Sequence, residues 1–242
     1  MNSSLKTKLH KATAIPKVFS YYEHKYIISH INLTKVKNIL ECLFGKSDPF
    51  PSGMVDSIYY DTREQDLLSQ CLEGVSKKEK FRIRGYGNAS YLQVHEKLKN
   101  LSGVSKYKAK FTTAQTCKGQ ALTWQQVLQG LSPKDRMYFT KTAAKKGILY
   151  PSVRINYQRH RYRRFDYRFT LDTNIEAFRL SNGLPHKTTY ARLPWHVLEI
   201  KTKEEFPSLP FLGLIKTKKE YFSKFMLGLN LLNNHVYRCR PR

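Results

Sequence analysis

The sequence predicts an α+β protein built on a closed antiparallel β-barrel of about eight strands, with helices packed outside. The first observation behind this prediction is that charged and apolar residues alternate with a period of two in several short segments. The second is that turns, rather than long crossover connections, separate most of these segments, which is typical of hairpins. Because strand side chains point alternately to opposite faces, each segment has one charged face and one mostly apolar face.

The charged faces of these strands are the feature that points to function. The segments Phe81–Arg84 and Leu198–Lys201 are the clearest examples of the alternation. Amphipathic helical segments elsewhere in the chain are available to cover the apolar faces, which leaves the charged faces to line an interior tunnel. A mostly cationic tunnel with a few carboxylates suits a polyanion accompanied by a divalent metal ion.

Eight segments are predicted as strands from their alternation and from the turn residues between them. Turns are expected at Gly87-Asn88, at Asn100–Gly103 and near Arg163-Arg164. The predicted strands are Phe19–Ser29, Val55–Tyr60, Lys80–Gly85, Tyr91–Lys97, Ser105–Phe111, Pro151–Arg161, Tyr167–Asp172 and Trp195–Lys201.

Helices are predicted where apolar residues recur every three or four positions. Asn32–Phe44 carries such a stripe, and a proline-containing loop follows it. Thr62 is a candidate N-cap for a helix that runs to Leu72 and is ended by Gly74. Further helical segments are Trp124–Leu131, Asp135–Lys145 and the long apolar region Leu209–Leu232.

The composition indicates a globular chain, because 40% of the 242 residues are hydrophobic and 13% are aromatic. We expect a flexible basic arm at residues 1–18 and a single domain over residues 19–242. The four cysteines form no CxxC pair, and no apolar run approaches the roughly 18 residues of a membrane span. These features predict reduced thiols, a cytoplasmic location and no membrane insertion.

The charge balance predicts an anionic partner. The chain has 43 Lys and Arg residues against 18 Asp and Glu residues, a net charge of +25. Nucleic acid, polyphosphate, nucleotide and membrane surface are the candidate partners, with nucleic acid expected only as a non-specific polyanion. A generally basic, well-solvated surface accounts for part of this excess. Neither a GxxxxGK[ST] loop nor a GxGxxG turn occurs, which argues against P-loop and Rossmann nucleotide sites.

If the barrel closes, basic residues from several strands converge in its tunnel. Arginine suits phosphate because its planar fork donates two parallel hydrogen bonds. Several cations around a phosphate chain also neutralise the charge that accumulates during phosphoryl transfer. The predicted basic residues are Lys25, Arg82, Arg84, Arg159, Arg168 and Lys201, with the strands at 93–97 and 106–110.

Glu199 and Glu23 are the acidic residues predicted on the same charged faces. Carboxylates serve no purpose in a simple anion trap, so both are candidate ligands for Mg²⁺ or Mn²⁺. Structural ion pairing is the alternative interpretation. His95 shares a strand face with Gln93 and Lys97, and three roles are open for it: phosphate binding as an imidazolium, acid–base assistance, or a hydrogen bond within the wall.

Eight segments, taken in order, carry a resemblance to a known family. They are Tyr22–Tyr26 (YEHKY), Ser57–Thr62 (SIYYDT), Lys80–Tyr86 (KFRIRGY), Ser105-Lys106, Tyr157–Arg159 (YQR), Arg168–Asp172 (RFTLD), Val197–Lys201 (VLEIK) and Ser223–Phe225 (SKF). In this order they resemble the polyphosphate-polymerase (VTC) domain of the CYTH-like triphosphate tunnel metalloenzyme superfamily. The resemblance covers roughly residues 19–230.

The resemblance implies a tunnel that binds ATP and inorganic polyphosphate with Mn²⁺ or Mg²⁺ and transfers the terminal phosphate of ATP to a growing polyphosphate chain. Glu199 matches the metal-binding glutamate of the family, and Glu23 is the second candidate ligand. The basic positions expected to act on the transferred phosphate are Lys25, Arg82, Arg84, Arg159, Arg168 and Lys224. The residues expected to bind substrate are His95, Lys97, Lys106, Tyr157, Lys201 and Ser223.

The chain departs from the family pattern in Gln93–Lys97, where the family usually has Glu-x-Lys-x-Lys or Glu-x-Lys-x-His. Gln93 lacks a carboxylate that would help to hold metal, and His95 replaces a permanently charged lysine. We expect these changes to affect metal affinity and catalytic rate more than phosphate binding. Two alternatives stay open: a metal-dependent triphosphatase, in which water accepts the phosphate, and a non-catalytic protein that binds polyphosphate or nucleic acid.

Overall fold

A computed structural model of the chain describes residues 21–45, 47–87, 92–100, 103–111, 121–181, 184–215, 217–220 and 223–233. The flexible arm predicted at residues 1–18 lies outside these ranges, as do Cys117 and Cys239. The other two cysteines are free thiols, Cys42 exposed and Cys71 buried.

Ten strands form one antiparallel sheet in the described part of the chain. Most of them alternate polar and apolar side chains, which gives the sheet two chemically different faces. The strands are β1 (Tyr22–Ser29), β2 (Ser52–Asp61), β3 (Lys78–Tyr86), β4 (Leu92–Asn100), β5 (Gly103–Phe111), β6 (Tyr150–Arg164), β7 (Tyr167–Ser181), β8 (Leu184–Arg192), β9 (Trp195–Thr202) and β10 (Thr217–Lys219).

Helices occupy the connections between strands and the end of the described chain. A capping box of Thr123 and Gln126 begins α3, and the Ser132 side chain caps α4. No helix among the described residues is long and apolar enough to cross a membrane. The helices are α1 (Leu33–Phe44), α2 (Asp66–Leu72), α3 (Trp124–Gln129), α4 (Pro133–Ala144) and α5 (Lys224–Asn233), with 3₁₀ turns at His30–Asn32 and Pro210–Leu214.

The strand order explains how the charged segments become neighbours. Along the sheet it is β10-β1-β9-β7-β6-β2-β3-β4-β5, and β8 pairs with the second half of β7. The predicted α+β class and antiparallel sheet are therefore correct, with two more strands than the eight predicted. Full hydrogen-bonded closure is not observed within the described residues, because β10 and β5 are the two ends of the strand order.

The sheet nevertheless curls until its two halves touch through side chains. Six strand-to-strand steps separate β1 from β4. At about 4.8 Å per step, these strands would lie about 29 Å apart in a flat sheet. The Glu23 carboxylate of β1 is instead 3.6 Å from the Lys97 ammonium of β4. The sheet is therefore strongly curved, and Glu23 and Lys97 lie on its concave, inner face.

Two apolar clusters cover the outer face of the sheet. In the first, Leu40 of α1 is fully buried together with Ile200 of β9. In the second, Trp124 of α3 packs edge-on against Phe81 of β3, with a ring-centroid distance of 5.6 Å. Helices α1, α3 and α4 therefore lie outside the curved sheet, as predicted from their apolar stripes.

Helix α5 lies on the inner face instead, which corrects the prediction that all helices pack outside. Its Phe225 ring stacks on Tyr59 of β2 at a centroid distance of 5.1 Å. A Cβ added to Gly228 would lie 3.1 Å from Ala177 and Ile155, so the helix backbone is close to β7 and β6. The reason is that the inner face is apolar at this end, and α5 buries that apolar patch.

Two further differences concern segments with weak periodicity. The predicted helical region Leu209–Leu232 is in fact a 3₁₀ turn, the short strand β10 and α5, which begins only at Lys224. Strand β8 was not predicted, because Leu184–Arg192 contains a proline and lacks a clear apolar alternation. The helix expected from Thr62 begins at Asp66, although the Thr62 hydroxyl does accept a hydrogen bond from the Asp66 N–H.

We predict that Gly130→Ala lowers the free energy of unfolding by about 1–3 kcal/mol, because it forces an extra methyl group into a packed contact. A Cβ on Gly130 would overlap the Phe111 ring of β5. Denaturant titration followed by circular dichroism measures the change. Gly213→Ala is the matched control, since a Cβ there meets no atom within 4 Å. Equal unfolding free energies for the two variants would contradict the packing of the end of α3 against β5.

Candidate active site

The inner face brings together charged residues of β1 and β9. The register places Glu199 beside Lys25 and Lys201 beside Glu23. Residues paired in register share one face of a sheet. The four charges therefore lie side by side, while the residues between them on β9, Leu198 and Ile200, belong to the outer apolar cluster.

Two carboxylates and three ammonium groups form what we call the carboxylate cluster: Glu23, Glu199, Lys25, Lys97 and Lys201. Glu23 lies 2.6 Å from Lys25, 3.6 Å from Lys97 and 3.6 Å from Lys201. Glu199 lies 2.7 Å from Lys201. The Glu199 side chain is only 9% exposed, so its charge is balanced by neighbouring cations rather than by bulk water.

The surrounding cations keep both carboxylates ionised. Burial alone would raise the pKa of Glu199, but Lys201, Lys25 and Arg159 outweigh burial and lower it well below its ordinary value. Burial and the neighbouring Glu199 likewise raise the pKa of Glu23, and the lysines of the cluster again reverse the direction. Two negative charges therefore persist inside a strongly basic tunnel.

Strands β3, β4 and β5 carry a regular array of basic side chains, which we call the basic grid. Their register aligns residues of the inner face in three rows. Adjacent members of a row lie about 5 Å apart, as neighbouring strands do. The rows are Lys80–Lys97–Lys106, Arg82–His95–Lys108 and Arg84–Gln93–Lys110.

Burial and neighbouring cations lower the pKa values of two lysines of the grid, so that both lose part of their charge near neutral pH. Burial, together with Lys25 and Lys106, lowers the pKa of Lys97 to about 7. Glu23 opposes this, but its single charge is shared with Lys25 and Lys201. Burial and Lys201 lower the pKa of Lys106 to about 8. A bound phosphate chain would supply negative charge and so raise the pKa values of both lysines again.

Hydroxyl groups of β2 anchor the two arginines of the grid. The Arg84 Nε–H donates to the Ser57 hydroxyl at 2.9 Å. An Arg82 Nη1–H donates to the Tyr59 hydroxyl at 3.2 Å. Burial raises the pKa of Tyr59, but Arg82 and Arg84 lower it to about 7. Since Ser57 carries no charge, the positive charge of Arg84 stays available to a bound anion.

Arg159 has a charged partner, which distinguishes it from Arg82 and Arg84. Its Nε–H and an Nη2–H donate to the two carboxylate oxygens of Asp172 at 2.6 and 2.8 Å. Lys224, the first residue of α5, contacts the same fully buried carboxylate at 2.6 Å. The ring centroid of Tyr157 lies 5.2 Å from the Arg159 guanidinium carbon and 5.1 Å from the Lys224 ammonium nitrogen. Asp172 therefore ties α5 to the wall of the tunnel.

His95 has a hydrogen-bond partner on each ring nitrogen. Arg82 donates to Nδ1 from Nε at 3.2 Å, and Nη2 is 3.1 Å from the same atom. On the other side, Nε2 is 2.9 Å from the Gln93 amide oxygen. Burial, Arg82 and Arg84 lower the pKa of His95 far below its ordinary value. The arrangement is that of a neutral wall residue, which speaks against the imidazolium interpretation.

Two of the predicted site residues sit at the margins of this arrangement. Arg168 lies on the inner face, paired in register with Lys201, but it is exposed at the rim. The Ser223 hydroxyl accepts the Met226 N–H at 3.1 Å and so begins α5 beside Lys224. The other predicted residues lie in the carboxylate cluster, in the basic grid or around Asp172.

Sequence reasoning missed three residues that hold the site together: Asp172, Tyr59 and Ser57. The signal for Asp172 was present, since it is spaced by two and four residues from Thr170 and Arg168 on β7. Tyr59 and Ser57 also share one strand face in the segment Ser57–Thr62. Their contacts with Arg82 and Arg84 depend on the pairing of β2 with β3, which alternation alone does not give.

The donor set fits a divalent metal ion only together with substrate phosphates. Among the described residues, no group of three or more His, Cys, Asp or Glu side chains is positioned to hold a metal. Glu23 and Glu199 nevertheless present two ionised carboxylates on adjacent strands. Mg²⁺ is commonly held by one or two carboxylates plus phosphate oxygens and water.

Comparison with known proteins agrees with this geometry. The family model of the VTC domain matches residues 20–233. No curated protein matches the chain in sequence. HpAC1 from Hippeastrum, an adenylyl cyclase-like protein with a dominant triphosphatase activity, superposes with a TM-score of 0.51 at 15% identity, over 86% of this chain and 94% of that one. An adenylate cyclase-like protein from Bacillus halodurans gives 0.49 at 11% identity, over 77% and 84%.

We predict that the affinity for tripolyphosphate without metal falls more steeply with pH in the wild type than in Lys97→Arg. Lys97 is protonated below a pKa of about 7, attracts anions there, and loses its charge as the pH rises. Arginine stays charged throughout this range. Isothermal titration calorimetry between about pH 6 and pH 9 measures how affinity depends on pH in both proteins. Subtracting one slope from the other removes the contribution from titration of the ligand itself.

Lys218→Arg is the control for this experiment, because the Lys218 side chain is 79% exposed and its ion pair is with Glu220, outside the grid. Its slope should equal that of the wild type. Parallel slopes for the wild type and Lys97→Arg would contradict the assigned protonation of Lys97.

Proposed function

Because the chain belongs to the VTC domain family, whose model matches residues 20–233, we propose that it is a polyphosphate polymerase. It would transfer the terminal phosphate of ATP to the end of an inorganic polyphosphate chain. The observation that supports this most directly is the basic inner face of the curved sheet, with two ionised carboxylates on β1 and β9. A cationic channel with so little negative charge is suited to a polyanion.

The proposed transfer exchanges one phosphoanhydride bond for another. An oxygen of the terminal phosphate of the chain attacks the γ-phosphorus of ATP, and the bond to the β–γ bridging oxygen breaks, so ADP leaves. Charge grows on the phosphate oxygens in the transition state. Arg82, Arg84 and Lys25 are placed to neutralise that charge, because they line the same inner face.

Glu199 and Glu23 are the residues that would hold Mg²⁺ or Mn²⁺ in this proposal. A divalent ion held there would supply Lewis-acid chemistry by withdrawing electron density from the transferred phosphate. The lysines of the carboxylate cluster keep both carboxylates ionised before substrate arrives. Phosphate oxygens can then take over Lys25, Lys97 and Lys201 as partners, which frees carboxylate oxygens for the metal ion.

The extent of the basic face favours a polymer over a triphosphate alone. The basic grid extends from Lys97 on β4 to Lys106 on the edge strand β5, where Lys108 and Lys110 are exposed. A nucleoside triphosphate held near the carboxylate cluster would span fewer of these basic residues than a longer phosphate chain. A longer phosphate chain would reach them.

The direct test is to incubate the purified chain with ATP and Mg²⁺ or Mn²⁺. We expect ADP and a phosphate polymer that runs as a ladder on a gel and is degraded by an exopolyphosphatase. Release of inorganic phosphate with no polymer would replace the polymerase proposal by hydrolysis, as in a triphosphatase. Omission of the metal should abolish turnover while polyphosphate still binds.

A non-catalytic polyphosphate-binding protein is the second candidate function. It is favoured by the lysine contacts of both carboxylates and by the neutral Gln93 and His95 in the grid. Tight binding of polyphosphate with no turnover of ATP under either metal would select this candidate.

We predict that Glu199→Gln lowers metal-dependent ATP turnover by about two orders of magnitude, the usual effect of losing one strong transition-state contact. The substitution keeps the shape of the side chain but removes the negative charge. The cations remain, so polyphosphate should bind as well as in the wild type or more tightly. Steady-state kinetics and calorimetry measure the two effects separately.

Glu205→Gln makes the same chemical change at an exposed residue outside the cluster and should leave both measurements unchanged. Wild-type turnover in Glu199→Gln would show that this carboxylate only balances Lys201 and Lys25.

A further inference from the structure

The guanidinium of Arg82 is held along two of its edges by the imidazole of His95 and the hydroxyl of Tyr59. Its Nε and Nη2 face Nδ1 of His95 at 3.2 and 3.1 Å. Its Nη1 donates to the Tyr59 hydroxyl at 3.2 Å. An arginine has five N–H donors. These contacts use one hydrogen on each nitrogen and leave one N–H donor on each Nη atom, a pair that we call the free fork.

The direction of these hydrogen bonds defines the state of His95. A guanidinium only donates, so Nδ1 of His95 must accept and cannot carry a proton. The remaining ring proton is then on Nε2, where the Gln93 amide oxygen accepts it at 2.9 Å. Gln93, His95, Arg82 and Tyr59 thus form one chain of hydrogen bonds that leaves two Nη hydrogens of Arg82 for a ligand.

The charges around His95 make a neutral ring the suitable partner. Arg82 and Arg84 face it from β3, and Lys106 and Lys108 face it from β5. A lysine at this position would add a fifth cation and has no acceptor to offer Arg82. A carboxylate would accept, but it would also cancel the charge of Arg82, as Asp172 does for Arg159.

We propose that His95 is a positioning residue, a neutral imidazole locked by Gln93 that aims the free fork of Arg82 at a phosphate of the bound chain. This rests on the proposed function in one respect, that the tunnel ligand is a phosphate chain. The role is to orient Arg82 while leaving its full positive charge available. The departure of this chain from its family at Gln93 and His95 is then a coupled change of two residues that act on Arg82.

Nuclear magnetic resonance of ¹⁵N-histidine-labelled chain tests the state of His95 without any assay of activity. The His95→Asn variant assigns the signal. We expect the Nε2–H tautomer from about pH 8 down to about pH 5, a range in which an ordinary histidine would titrate around 6.5. Titration of the His95 signal near 6.5 in the free protein would overturn the proposal, because an imidazolium cannot accept from Arg82.

A matched pair of substitutions tests the positioning role. Leucine and asparagine have the same branching, but only asparagine places an acceptor oxygen near the position of Nδ1. We expect His95→Leu to weaken tripolyphosphate binding about tenfold, a common result of removing one hydrogen bond to a charged group. His95→Asn should stay within about threefold of the wild type. Equal losses in both variants would show that the ring only fills space.

If His95 acts by orienting Arg82, the loss of binding caused by His95→Leu must depend on Arg82. In an Arg82→Lys background, which keeps the charge but removes the fork, His95→Leu should cause little further loss. Additive losses would overturn the proposal. His160→Leu, on the opposite face of β6 from Arg159, is the control and should bind as the wild type does. Phosphate binding and the His95 tautomer are measured directly, without an activity assay. An absence of polymerase activity would therefore refute the proposed function but would not test the role of His95.

Discussion

Glu23 lies where the two halves of the curved sheet meet, and its carboxylate contacts Lys25, Lys97 and Lys201 within 3.6 Å. One carboxylate thus interacts with three lysines on three different strands. The partly buried lysines would repel one another without it, since burial removes the screening that water provides. The protonation of Lys97 depends on this shared carboxylate, and Lys25 and Lys201, which it holds in place, lower the pKa of Glu199.

The inner face separates charge used for structure from charge left for a ligand. Asp172 compensates Arg159 and Lys224 where α5 must be fixed to the wall. Arg82 and Arg84 are anchored by Ser57, Tyr59 and His95, so they are oriented without a carboxylate partner. The cations beside the open part of the tunnel are therefore the ones that retain attraction for phosphate.

Much of this arrangement could be predicted from the sequence, because alternation with a period of two is a direct consequence of strand geometry. It identified the strands that carry Arg82, Arg84, Glu199 and Lys201, and the faces on which those residues lie. The ordered motifs supplied the family, which the match over residues 20–233 confirms. The roles assigned to individual residues remain predictions.

The remaining features depend on which strands become neighbours, and local pattern carries no such information. The contact between Glu23 and Lys97 needs a curvature that accumulates over six strand steps. The apolar stripe of α5 shows that it is buried, but not that the inner face of β6 and β7 buries it. The neutral state of His95 follows only from the approach of Arg82 on β3, a strand paired with β4 through register.

The seam between β1 and β4 also bears on how a long polymer gains access. A ring of strands closed by backbone hydrogen bonds admits a polymer only when a free end is threaded through it. In the described residues, the ion pair of Glu23 with Lys97, rather than backbone pairing, spans this seam. Such ion pairs separate and re-form without breaking a strand ladder, and phosphate oxygens can replace Glu23 as the partner of Lys97. Under the proposed function, an internal stretch of a polymer would thus have a lateral route onto the inner face, with no requirement for a nearby chain end.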